Sequence, residues 1–194
     1  MHVKRTLVVS ILLMSAVSAF ASQSARADEL TLAGTTLSTN PLGITFAVGS
    51  FSGTTSSGFA GFSNLGSYTL SSGAGTYAGS TVDLTVTFTL PTGIAGGATT
   101  SFTANLFGNV NTNAQGGVDI VFVNPSQTFT FSNASGSGSF TLNLNNVSLS
   151  PGGTTALSGY ITGAVFTPVP EPSAMLLLGA GLLLMPLFRT KRIC

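Results

Sequence analysis

The sequence predicts an all-β protein: one antiparallel sandwich or jelly-roll-like domain, flanked by an N-terminal signal peptide and a C-terminal hydrophobic helix. Three observations predict the sandwich. Residues 81–90 alternate strictly, with Val82, Leu84, Val86, Phe88 and Leu90 separated by Thr and Asp, which gives a strand with one dry and one wet face. Thr, Val, Phe and Ile dominate the middle of the chain, and no window before the C-terminal segment sustains a three-to-four spacing of apolar residues. Gly, Ser, Asn and Pro recur between the alternating stretches, as turns between short strands do.

In chain order, strands are expected at residues 43–48 and 66–70, each bounded by small turn-forming residues, then at 81–90 and at 101–107. Residues 118–123 are more continuously apolar and end at Asn124-Pro125, which suggests a central strand buried on both faces. Residues 127–132 and 139–145 return to the period of two, and 159–167 close the set of about eight. Residues 49–80 and 91–100, rich in Gly, Ser, Thr and Ala, read as flexible loops around the short strand at 66–70. No strict internal repeat is present, which argues against a solenoid.

The two ends follow different rules. Lys4 and Arg5 precede an apolar run over 7–20, and Ala25-Arg26-Ala27 offers the small-x-small cleavage site of a secretory signal peptide, so residues 1–27 are assigned to it, with signal peptidase as the processing partner at Ala25 and Ala27. Residues 28–168 are the exported Ser/Thr/Gly-rich β domain. Residues 169–194 form a tail: Val169-Pro170-Glu171-Pro172-Ser173, an apolar segment at 174–188, then Arg189, Lys191 and Arg192 as a basic membrane stop. Fifteen helical residues would span roughly 22 Å against about 30 Å of hydrocarbon, so the segment crosses marginally, helped by snorkelling basic side chains. Basic residues at both outer flanks put both ends on the cytoplasmic side and the domain between them across the membrane.

This tail resembles the PEP-CTERM sorting domain, with its Pro-Glu-Pro core intact and two departures: a sparse basic end and Pro186 inside the apolar segment. The resemblance implies secretion by a Gram-negative, exopolysaccharide-producing bacterium, and processing by an exosortase-like membrane enzyme that recognises Pro170, Glu171 and Pro172. It implies a transient membrane anchor followed by a cell-surface or extracellular location. Two prolines keep the approach extended and Glu171 outside the apolar segment, where a basic pocket could read it.

Composition restricts the chemistry of the domain. From 28 to 169 the charged residues are Asp28, Glu29, Asp83 and Asp119, with no Lys, Arg, His, Cys or Trp. The formal charge of +1 therefore belongs to the targeting segments. Nucleic acid is excluded as a partner, because phosphate neutralisation needs clustered cations. His2 lies in the signal peptide and Cys194 in the tail, so neither a His-based triad nor a thiol nucleophile can be assembled, and the domain is expected not to be an enzyme. No cofactor is expected. Asp83 and Asp119 could form a carboxylate pair only if folding joined them. Asn109, Asn111, Asn113 and Asp119 suggest weak calcium ligation, although ordinary turn chemistry explains them as well.

About a third of the domain is Ser or Thr. These hydroxyls solvate outer strand faces in place of charges, and O-glycosylation would add to that hydration. Asn133-Ala134-Ser135 and Asn146-Val147-Ser148 match the N-glycan acceptor pattern. The function expected is that of a non-enzymatic exported surface or extracellular-matrix protein associated with biofilm or exopolysaccharide. The alternative is a carbohydrate-binding or adhesin-type β-sandwich using Tyr68, Tyr77 or Tyr160. A narrower one is ice binding by the threonine row of Thr85, Thr87 and Thr89.

Overall fold

The computed structural model describes residues 29–169. The signal peptide with Ala25 and Ala27, the recognition residues Pro170, Glu171 and Pro172, the apolar segment 174–188 and the stop residues Arg189, Lys191 and Arg192 lie outside the described residues.

The described chain is antiparallel β throughout, in fourteen strands. They are β1 (Thr31–Ser38), β2 (Ile44–Ala47), β3 (Gly49–Thr54), β4 (Ala60–Phe62), β5 (Ser67–Leu70), β6 (Gly75–Thr76), β7 (Thr81–Leu90), β8 (Thr99–Val110), β9 (Gly116–Phe122), β10 (Ser126–Asn133), β11 (Gly136–Leu144), β12 (Val147–Leu149), β13 (Thr154–Ala156) and β14 (Gly159–Pro168). A seven-stranded sheet runs β12-β9-β8-β7-β1-β3, with β6 also paired to β8; a four-stranded sheet runs β10-β11-β14-β4; a small third sheet runs β13-β5-β2.

Period-two alternation puts Val82, Leu84, Val86 and Phe88 of β7 on the inner face, beside Phe102, Ala104 and Leu106 of β8. The four-stranded sheet answers with Phe129 and Phe131 of β10, Phe140 and Leu142 of β11, and Ile161 of β14. Aromatic rings join the two faces. Phe88 meets Phe129 and Phe140 edge-on at centroid separations of 5.0 and 5.1 Å, while Phe51 on β3 meets Phe62 on β4 at 5.2 Å. Edge-to-face pairs of this kind add about 0.5–1.5 kcal/mol each beyond area burial.

Glycine makes room for these rings. Gly34 on β1 stands opposite Phe51 on β3, and a Cβ there would come within 2.6 Å of Phe51 Cζ and against the Thr87 carbonyl. Gly138 on β11 stands opposite Phe131 in the same way, with Phe131 Cζ 2.8 Å from a Cβ position and the Val165 carbonyl behind it. Both rings lie down over the neighbouring strand where any side chain would lift them.

Under the third sheet sits a small polar group. Tyr68 on β5 is fully buried and donates its phenol O–H to Ser38 Oγ at 2.9 Å; Thr36 Oγ1 donates to the Leu65 carbonyl at 2.5 Å and accepts the Gly49 N–H at 3.2 Å. Among the described residues, every buried side-chain polar atom has a partner. Burial pushes the Tyr68 phenol above its ordinary value, and the bond to Ser38 offsets part of that shift.

Two sequence expectations change. Residues 49–80 are not flexible loops: they carry β3, β4, β5 and β6, held by pairing to β1, β14, β2, β13 and β8. Residues 91–100 are tied down as well, since Ile94 bridges Phe131 and β8 begins at Thr99. Strand β9 is neither central nor buried on both faces: it lies next to the edge strand β12, and Val118, Ile120 and Phe122 are buried while Asp119 points outward and Val123 just beyond is 54 % exposed.

Two outcomes follow from this packing. Gly34→Ala should destabilise the domain by about 2 kcal/mol or more through overpacking, measured as a lower denaturant midpoint with unchanged slope; an unchanged midpoint would remove the close-packing role of this glycine. The alkaline limb of stability should carry the Tyr68 shift. A buried phenol stays neutral while the unfolded one ionises, so stability is full below about pH 10 and falls above it. Tyr68→Phe should flatten that fall while lowering neutral-pH stability by about 1 kcal/mol for the lost hydrogen bond.

Candidate functional site

Both ends of the described domain reach one pole. Glu29 and Leu30, at the start, line an open cleft of about 430 Å³ together with Pro91, Asn133, Ser135 and Phe166. At the other end β14 runs to Pro168, whose register partner is Gly136, and the Val169 N–H then donates to the Ser135 carbonyl at 3.1 Å. The chain is therefore strand-bound up to the residue before Val169, and leaves the domain beside the point where it entered.

Asn133, at the wall of the cleft, serves the local fold: its Oδ1 accepts the Ser135 N–H at 2.9 Å and the Gly136 N–H at 3.2 Å, and its Nδ2 donates to the Thr92 carbonyl at 3.1 Å. Asn146 Oδ1 accepts the Phe122 N–H at 3.0 Å and so stitches the β11–β12 connection to β9.

Asp83 and Asp119 do not meet. Asp83 on β7 accepts from Thr103 Oγ1 at 2.7 Å, and Asp119 on β9 accepts from Ser148 Oγ at 2.6 Å. Strand β8 lies between them, with Thr103 opposite Asp83 and Phe107 opposite Asp119. Two strand spacings and four residues of stagger put them roughly 16 Å apart, too far for a glycosidase or aspartic dyad. Each is a solvated carboxylate bonded to its cross-strand neighbour.

The suspected calcium ligands also part. Asn111 organises the β8–β9 turn, its Oδ1 accepting the N–H groups of Asn113 at 3.0 Å and Gln115 at 2.9 Å. Asp119 sits further along β9, on Ser148. Among the described residues, no group of three or more His, Cys, Asp or Glu is placed to hold a metal ion.

Of the three tyrosines, Tyr68 and Tyr77 belong to the core. Only Tyr160 reaches the outer surface, where it is half-buried and stacks with Phe59 at a centroid separation of 6.0 Å and an interplanar angle of 29°. Phe59 is 53 % exposed. The sequence reading missed it because it falls in a stretch of small residues read as loop; a lone aromatic among Ser and Gly was the available signal. The threonine row widens into a patch: Thr85 and Thr87 face Ser101 and Thr99 across β8 at 3.4 and 3.1 Å, and Thr35 lies opposite Thr87 on β1.

Comparison with known proteins adds one finding to this geometry. No curated protein and no solved structure matches the chain. Residues 168–192 match the PEP-CTERM protein-sorting motif, which starts on the last residue of β14, so the chain carries an export-and-sorting address of the kind processed by an exosortase at the membrane.

Proposed function

We propose that this chain is a non-enzymatic structural protein of the cell surface or extracellular matrix, exported behind its signal peptide and delivered by its tail to an exopolysaccharide-containing envelope or biofilm. The match of residues 168–192 to the sorting motif carries the reading. The residue inventory supports its non-enzymatic part: residues 28–169 contain no imidazole, thiol, amine or guanidinium, and Asp83 and Asp119 are each bonded to a neighbouring hydroxyl.

The join between domain and address supports a definite orientation. Strand β14 ends at Pro168 and the apolar segment starts at residue 174, so five residues, at most about 18 Å of extended chain, separate the fold from the hydrocarbon. The pole carrying Glu29, Ser135 and Val169 would face the membrane until the tail is removed, and Glu171 would be held within that short gap.

The recognition role of Glu171 gives the test. Glu171→Ala should leave full-length chain in the membrane fraction and reduce the amount at the surface several-fold, as seen by immunoblotting fractionated cells. Equal surface delivery of the variant would show that the apolar segment alone is recognised.

A further inference from the structure

We propose that the outward face of the four-stranded sheet is a binding strip for a neutral polysaccharide chain, with Phe59 and Tyr160 as its apolar contact. This deepens the matrix reading by naming a ligand class and a place for it, and rests on that reading only for where the ligand would be met.

The presentation of Phe59 is the first observation. Ser57 and Gly58 have φ angles of 50° and 74°, the left-handed pair of a tight two-residue turn, and serine rarely adopts such a value. The turn is closed by Ser56 N–H to the Phe59 carbonyl at 2.8 Å and Phe59 N–H to the Ser56 carbonyl at 3.1 Å, and it is pinned to β14 by Ala164 N–H to the Gly58 carbonyl at 3.1 Å. A large apolar ring is thus held out to water on a fixed backbone, at a local conformational cost of the kind found at binding sites.

Its neighbours are the second observation. Across the sheet, Gly61, Tyr160, Asn143 and Ser126 stand in one row of register partners. Gly61 leaves space beside the rings, since the nearest atom to a Cβ there is Phe59 Cε1 at 3.9 Å. Asn143 accepts from Ser126 Oγ at 2.7 Å and donates to Thr162 Oγ1 at 3.1 Å, which begins a second row continuing through the Thr141–Thr128 hydroxyl pair at 2.8 Å. Four strands give this strip a width of about 14 Å. An apolar platform beside a fixed amide and hydroxyls is what a sugar chain recognises: C–H faces lie on the negative face of a ring, while O–H groups exchange hydrogen bonds with the amide and hydroxyls.

Charge selects the class. The strip carries no ionisable side chain apart from the Tyr160 phenol, Asp83 and Asp119 lie on the other main sheet, and the domain holds no cation that would pair with an anionic polymer. A polyanion would be repelled and a neutral glycan would not.

Titration calorimetry of the full chain, in a detergent without a sugar headgroup, against laminarin, dextran, a neutral mannan and alginate decides the matter. At least one neutral polymer should bind and alginate should not. Phe59→Ala and Tyr160→Ala should each weaken binding about tenfold, Tyr160→Phe should retain it, and Phe107→Ala, an exposed ring on the seven-stranded sheet, should leave it unchanged, with circular dichroism confirming the fold of each variant. Binding to no neutral polymer, a preference for alginate, or affinity undiminished in both ring-deleted variants would overturn the proposal. None of these readouts depends on tail processing, so failure here leaves the delivery reading standing.

Discussion

The contact between aromatic rings across the two main sheets is the constraint on which the rest of the domain depends. Phe88 reaches from β7 to Phe129 and Phe140, and Phe51 reaches from β3 to Phe62, so the seven-stranded and four-stranded sheets are joined at two places along their inner faces. The chain's one cysteine is in the tail, so no intramolecular disulfide adds to this packing. At two places large rings fill the space left by glycine. Gly34 and Gly138 are necessary parts of that arrangement, because each is the floor on which a phenylalanine lies.

The same scarcity of long side chains shapes the surface. Outer strand faces are hydrated by hydroxyls, many of them paired across strands, such as Thr31 with Thr54 at 3.2 Å and Thr69 with Thr154 at 2.7 Å. The two carboxylates of the seven-stranded sheet join this pattern, accepting from Thr103 and Ser148. A surface so poor in charge offers little electrostatic steering. What it offers is polar contact without charge, and in one place an aromatic pair beside it.

The legible strands were those whose inner positions are apolar. Residues 81–90 could be read from Val82, Leu84, Val86 and Phe88, and β11 from Phe140, Leu142 and Leu144. Strand β1 was not, because its inward residues after Leu32 are Gly34, Thr36 and Ser38, which give no hydrophobic period; Thr36 faces inward to bond Leu65 and Gly49, and Ser38 to accept from Tyr68. Strand β3 hid for a similar reason, with Gly49, Phe51 and Gly53 inward. These are tertiary demands, a ring that needs a flat neighbour and a phenol that needs an acceptor, and local alternation cannot announce them. The aromatic surface was half legible: Tyr160 was singled out, but its partner Phe59 is brought to it by pairing between β4 and β14.

A sharp division of labour follows, with a nearly uncharged β fold up to Pro168 and an address that starts on that same residue. The intact mass of the mature chain from its native cell surface tests that division most directly. The account predicts a chain that begins at Asp28 and ends within residues 170–173, leaving β14 whole and the apolar segment removed. A mature form that still contains Arg189 through Cys194, or one shortened into β14, would contradict it.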